Sequence, residues 1–113
     1  MKLKAAEALA LWHGVMLRML HDALPDLTAR QLALLLQVYL AEPPHTVRGL
    51  AETLAMSKPA VSRALDRLCG LGFLRRATDK DDRRSILVQR TVKGSVFLRD
   101  FADTAAKVAR GLK

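Results

Sequence analysis

Residues 50–68 read LAETLAMSKPAVSRALDRL, and two helical patterns lie end to end within them. Leu50, Ala51 and Leu54, with Val47 just upstream, form one apolar stripe, and Val61, Ala64, Leu65 and Leu68 form another at the i, i+3, i+4, i+7 spacing of a second helix. Only the turn at Ala55-Met56 separates them. Thr46 is placed to cap the first helix and Ser57 the second, whose first turn holds Pro59, where a missing N–H costs no internal bond. Gly70 and Gly72 supply the C-terminal stop. Away from the second stripe stand Pro59, Ser62, Arg63, Asp66 and Arg67.

Two short helices joined this tightly are the elements of a helix-turn-helix, whose second helix can lie in the major groove of DNA with residues near its N-terminus at base edges. Ser57, Lys58, Pro59, Ala60, Ser62, Arg63 and Arg67 are the candidates. Arginine pairs two donors with guanine, serine bonds a base or a phosphate, and small apolar residues such as Pro59 and Ala60 touch a thymine methyl. The helix start adds backbone donors and partial positive charge for a phosphate.

Outward from this centre, the spacing predicts a helix over 3–24 with a stripe of Leu9, His13, Met16, Leu20 and Leu24, ended by Pro25. Leu11, Trp12 and Val15 make a second apolar surface, more than a small core covers, so another subunit is the expected cover. LTARQL then starts a helix with Thr28 and Gln31 as a capping box and Leu27 against Leu32 as a staple. That helix should run to about Ala41, before Glu42 and the two prolines. Downstream, FLRRA (73–77) and SILVQR (85–90) are β-prone runs joined by a charged loop of about seven residues, and Thr91 caps a last helix over 92–112 with Phe97, Phe101, Ala105, Val108 and Leu112 on one stripe. The expected class is mainly α with a small β-hairpin wing.

The 113 residues have the size of one domain, and half of them are hydrophobic. The formal charge is +8 with pI near 10.4, and its distribution says more than its total. Residues 1–56 sum to zero, whereas 57–99 hold eleven basic against four acidic side chains, a net +7. An excess confined to one segment points to a surface for a polyanion.

The segment 46–94 resembles the winged helix-turn-helix of the MarR family of bacterial transcriptional regulators. The likeness rests on the helix-turn-helix, on GLGFLRR, on the DDRRS loop and on LVQRT followed by Lys93-Gly94. It implies a winged helix-turn-helix with a DNA-binding core over 28–91 and terminal helices 3–24 and 92–112 for dimerisation, in a homodimeric regulator of double-stranded DNA of the repressor type. It also implies that a wing-tip aspartate, here Asp82, orients the arginine that enters the minor groove, here Arg84. Arg75, Arg76 and Arg83 would join Lys58 and Arg67 in contacting phosphate. Many relatives bind small phenolic or lipophilic effectors, and no residue here names one. Arg90 departs from the family, which usually has a buried leucine there, implying either a repacked wing base or an arginine reaching the DNA backbone. The C-terminal region also holds one helix where the family usually has two.

Without the resemblance, DKDDRR (79–84) reads as a solvated loop, and Arg83 and Arg84 stand where a calcium loop needs an oxygen ligand and glycine. A lone cysteine, Cys69, forms no internal disulfide and reads as a buried small hydrophobe, which together with the lack of a leader pattern or an apolar span makes a cytoplasmic, membrane-free protein the expectation. His13, His21 and His45 lack metal-ligand spacing, no cofactor is implied, and no catalytic constellation stands out. Two alternatives remain at this level: a winged-helix module docking on an acidic protein, and a nonspecific architectural DNA binder.

Overall fold

The computed structural model describes residues 2–112. Its elements are α1 (Ala5–His21), α2 (Ala29–Leu40), α3 (Val47–Leu54), α4 (Lys58–Gly70), β1 (Leu74–Thr78), β2 (Ile86–Arg90) and α5 (Val92–Arg110). This is a mainly α chain with a small hairpin wing, a winged helix-turn-helix. None of its described helices is long and apolar enough to cross a membrane. The chain resolves into two compact units, one made of residues up to Asp26 together with Phe97 onward, the other of Leu27–Val96.

In the Leu27–Val96 unit the apolar stripes converge. Leu34, Leu35 and Val38 of α2, Leu50 and Ala51 of α3, and Val61, Ala64, Leu65 and Leu68 of α4 are buried with Phe73, Leu74 and Val88 of the wing. Truncating any of the fully buried leucines to alanine costs about 2–5 kcal/mol. The caps form as read: Thr28 Oγ1 accepts the Gln31 N–H at 3.1 Å while Gln31 Oε1 accepts the Thr28 N–H at 2.9 Å. Thr46 Oγ1 takes the Gly49 N–H at 2.9 Å. Between α3 and α4, Ala55 adopts a left-handed conformation (φ 53°) and ends α3.

β1 and β2 pair antiparallel, Leu74 opposite Arg90 and Thr78 opposite Ile86, leaving a loop over 79–85. A bridge from Thr46 to Leu87, with the Val88 N–H donating to the His45 carbonyl at 2.8 Å, adds a third short extended segment. The Tyr39 hydroxyl closes the wing base: it lies 2.9 Å from the Phe73 carbonyl and 3.0 Å from that of Thr91, and it accepts the Thr91 N–H at 3.0 Å. Arg90 takes the first of its two readings. Its Nε donates to the Val38 carbonyl and its Nη2 to that of Ala41, both at 2.9 Å, so the guanidinium caps the C-terminal end of α2 and covers the Tyr39 ring.

In the other unit, α1 presents Leu11, Gly14, Val15 and Met19 inward. A Cβ on Gly14 would stand 2.6 Å from Val108 Cγ1 of α5, so the glycine is what lets these helices approach. Of the two apolar surfaces, the stripe with Leu9 and Leu20 is open, at 71% and 76% exposure.

Several boundaries differ from expectation: α1 opens at Ala5 where 3 was expected, and the strands cover 74–78 and 86–90 where 73–77 and 85–90 were expected. α1 stops at His21, before Pro25, because Ala23 turns left-handed (φ 51°) and the Ala23 and Leu24 N–H groups bond back to Leu20 and Met19 in a Schellman closure. Gly70 lies inside α4, and Gly72 (φ 81°) alone makes the stop, with the Phe73 N–H donating to Leu68. The last helix ends at Arg110, two residues short of 112.

Candidate nucleic-acid interface

The first turn of α4 is built around Ser57, whose Oγ accepts the Ala60 N–H at 3.2 Å. Its hydroxyl is thereby engaged in holding the helix start. Lys58, Pro59, Arg63 and Arg67 are exposed, and Ala60 and Ser62 are half-buried at the edge of the packed face. Six of the seven candidates from 57 to 67 thus share one helix and Ser57 caps it, and the helix's other face is locked into the core by Val61, Ala64, Leu65 and Leu68. A rigid helix fixes the spacing of whatever its outer face touches.

Arg30, in the first turn of α2, shares a shallow groove of about 160 Å³ with Arg63, lined also by Thr28, Gln31, Met56 and Ala60. Sequence reasoning left this arginine out. The signal was faint, a single basic residue in the first turn of a helix otherwise uncharged.

The wing's adjacent arginines part company. Arg75 stands opposite Gln89 and donates from Nε to its Oε1 at 2.9 Å. Arg76 stands opposite the buried Val88, and its Nη2 donates to Asp66 Oδ1 at 2.8 Å and to the Ser62 carbonyl at 3.1 Å, both on α4.

At the wing tip the aspartates fold the loop. Asp79 Oδ1 accepts the Asp81 N–H at 2.9 Å, and Asp82 Oδ1 accepts the Arg84 N–H at 3.0 Å, each the reach of an Asx turn two residues on. The Ser85 N–H donates to the Asp82 carbonyl at 2.9 Å and the Asp79 N–H to the Ser85 carbonyl at 3.2 Å, which closes the tip. Lys80, Arg83 and Arg84 project exposed from it.

Cys69, near the end of α4, is half-buried. Burial pushes its thiol above the ordinary value; the Arg76 guanidinium pulls the other way and the Asp66 carboxylate adds to the rise. His45 is buried with Nε2 3.2 Å from the Ala41 carbonyl. Among the described residues no cluster of three or more His, Cys, Asp or Glu side chains is placed to hold a metal ion.

A family model described as MarR family matches residues 25–85, from the approach to α2 through the wing loop. No curated protein matches the chain. Among solved structures, a single-site mutant of MepR from S. aureus is similar over 98% of this chain and 83% of its own, at 18% identity and a TM-score of 0.77. YusO from Bacillus subtilis is similar over 95% of this chain and 74% of its own, at 23% identity and a TM-score of 0.75. A complex of S. aureus MepR with DNA is similar over 73% of this chain and 67% of its own, at 24% identity and a TM-score of 0.68. At these identities the three speak for the fold alone.

Proposed function

The chain belongs to the MarR family, and from that premise we propose that it is a transcriptional regulator that binds double-stranded DNA as a homodimer and represses. One observation carries the reading: Lys58, Arg63 and Arg67 on the outer face of α4 and Arg83 and Arg84 on the wing tip are exposed within one compact unit, the segment that holds the charge excess. The capture of MepR, of like fold, in a complex with DNA supports the same reading.

In this reading α4 enters the major groove. Ser62 and Arg63 read base edges, and Pro59 and Ala60 meet thymine methyls. Lys58, Arg67, Arg75 and Arg83 neutralise phosphates, with Ser57 fixing the helix start beside them. Arg84 enters the minor groove from the wing, on a loop shaped by Asp82. The exposed Leu9, Trp12, Met16 and Leu20 of α1 support dimerisation through the terminal helices 3–24 and 92–112, with 28–91 as the DNA-binding core. A two-fold dimer of this kind sets half-sites about 34 Å apart, one turn of duplex.

Selection of bound genomic fragments at about 150 mM salt, where weak phosphate contacts are screened, tests the proposal. Enrichment of one inverted repeat is expected. A bound pool without a motif would leave an architectural binder, and no bound pool would sink the DNA reading in favour of a protein-docking module.

A further inference from the structure

Strand alternation gives the neighbouring arginines of β1 opposite faces. Arg75 lies across from Gln89 and its side chain bonds there, on the wing's own surface. Arg76 lies across from Val88, which is 2% exposed, so its side chain leaves on the face that packs toward α4. One nitrogen, Nη2, spends both of its hydrogens on α4: one on Asp66 Oδ1 at 2.8 Å, the other on the Ser62 carbonyl at 3.1 Å. Ser62 and Asp66 are one helical turn apart and bracket Arg63.

We propose that Arg76 is a positioning residue, a strut that sets the angle between α4 and the wing and thereby the specificity of the surface, and that it does not itself neutralise a phosphate. The inference rests on the reading of α4 and the wing as a DNA-binding surface. One observation separates a strut from a backbone contact. The charge of Arg76 is already matched by a carboxylate at 2.8 Å, so it releases little counterion on binding. The pair is also open to water, at 34% and 71% side-chain exposure, where an ion pair adds little to stability. What the contact does supply is direction: it ties the strand leading to Arg83 and Arg84 to the helix segment that carries Arg63, and a wrong angle would prevent both from engaging at once.

The test compares the unmodified protein with Arg76→Ala, Asp66→Ala, the double variant and Lys58→Ala on the enriched duplex and on random duplex, across a salt series. Arg76→Ala should lose about tenfold on the enriched duplex and less than about threefold on random duplex, with the salt slope unchanged. Asp66→Ala, although it removes a negative charge, should lower the same ratio, and the double variant should do no worse than either single one. Lys58→Ala should weaken both duplexes and flatten the slope by about 0.9. A slope lowered by about 0.9 in Arg76→Ala, or additive losses in the double variant, would overturn the strut. Hydrogen exchange on the free protein decides independently of DNA: wing and loop amides should exchange faster in Arg76→Ala while those of the α2 and α4 core stay as they were. Unchanged wing exchange overturns the strut whatever binds; a protein that binds no duplex yet shows faster wing exchange overturns the DNA reading and leaves the strut as a structural tie.

Discussion

Asp82 holds Arg84 by the main chain: its Oδ1 accepts the Arg84 backbone N–H at 3.0 Å, and the Arg84 side chain projects exposed from the loop. The carboxylate therefore shapes the turn from which the arginine extends, and the interaction needs an oxygen acceptor two residues before the donor more than it needs a charge. Asp79 does the same for Asp81 on the opposite limb. The run of acidic residues beside two arginines is in this sense a folding device for the tip.

Asp82→Asn keeps the acceptor and Asp82→Ala removes it. On the enriched duplex the alanine variant should lose about three- to tenfold, within the worth of one hydrogen bond of about 0.5–1.5 kcal/mol, and the asparagine variant should stay within about twofold. Binding isotherms of the two variants decide; equal losses would mean that the charge and not the turn is what matters.

Arg63→Ala should relax sequence preference, costing about 1–3 kcal/mol on the enriched duplex and little on random duplex. Lys58→Ala should weaken both alike. Should the two variants behave identically on both duplexes, the division into base reader and phosphate contact is wrong.

Arg90→Ala deletes the donors to the Val38 and Ala41 carbonyls and bares the end of α2. A stability loss of about 1–3 kcal/mol is expected in a denaturant melt. DNA affinity, measured well below the melting midpoint, should hardly change, because the guanidinium faces α2. A large loss of affinity with unchanged stability would return Arg90 to the binding surface.

Gly94→Ala would drive its Cβ into the Tyr39 hydroxyl and the Phe73 carbonyl, so thermal unfolding should shift strongly downward. Tyr39→Phe removes one of these obstacles and also the acceptor of the Thr91 N–H, for about 1–3 kcal/mol. Added to Tyr39→Phe, Gly94→Ala should still destabilise, since the Phe73 carbonyl stays in place.

Cys69 gives a pH signature. Its thiol is held above the ordinary value chiefly by burial, so in the folded chain it binds a proton that the unfolded chain has already released. Its contribution to stability is fully present below the ordinary thiol pKa and is lost as pH rises through the raised one. Alkylation should accordingly be slower in the folded protein than in the unfolded one at about pH 8.5, and Cys69→Ser should lessen the alkaline decline in stability. Alkylation as fast folded as unfolded would contradict the burial that raises it.

Most of the architecture was legible because its signals are local. Thr28 with Gln31, Thr46 with Gly49 and Ser57 with Ala60 each act across three residues, and the stripes of α3 and α4 repeat within two turns, so they can be read before anything is packed. The end of α1 misled because Pro25 is a visible breaker, whereas the left-handed turn at Ala23 has no glycine to announce it.

From the chain alone came the element order, the turn of the helix-turn-helix, the hairpin and the confinement of charge to 57–99. Only the tertiary structure decided which charges stay open. Arg90 reaches Val38 across 52 residues, Tyr39 meets Thr91 across 52, and Arg76 finds Asp66 across 10 on a different element. Two adjacent arginines are alike in composition and opposite in facing, and that difference exists once the register sets Arg76 against buried Val88 and Arg75 against Gln89. Contacts made through space depend on how helices and strands pack, which no local spacing encodes.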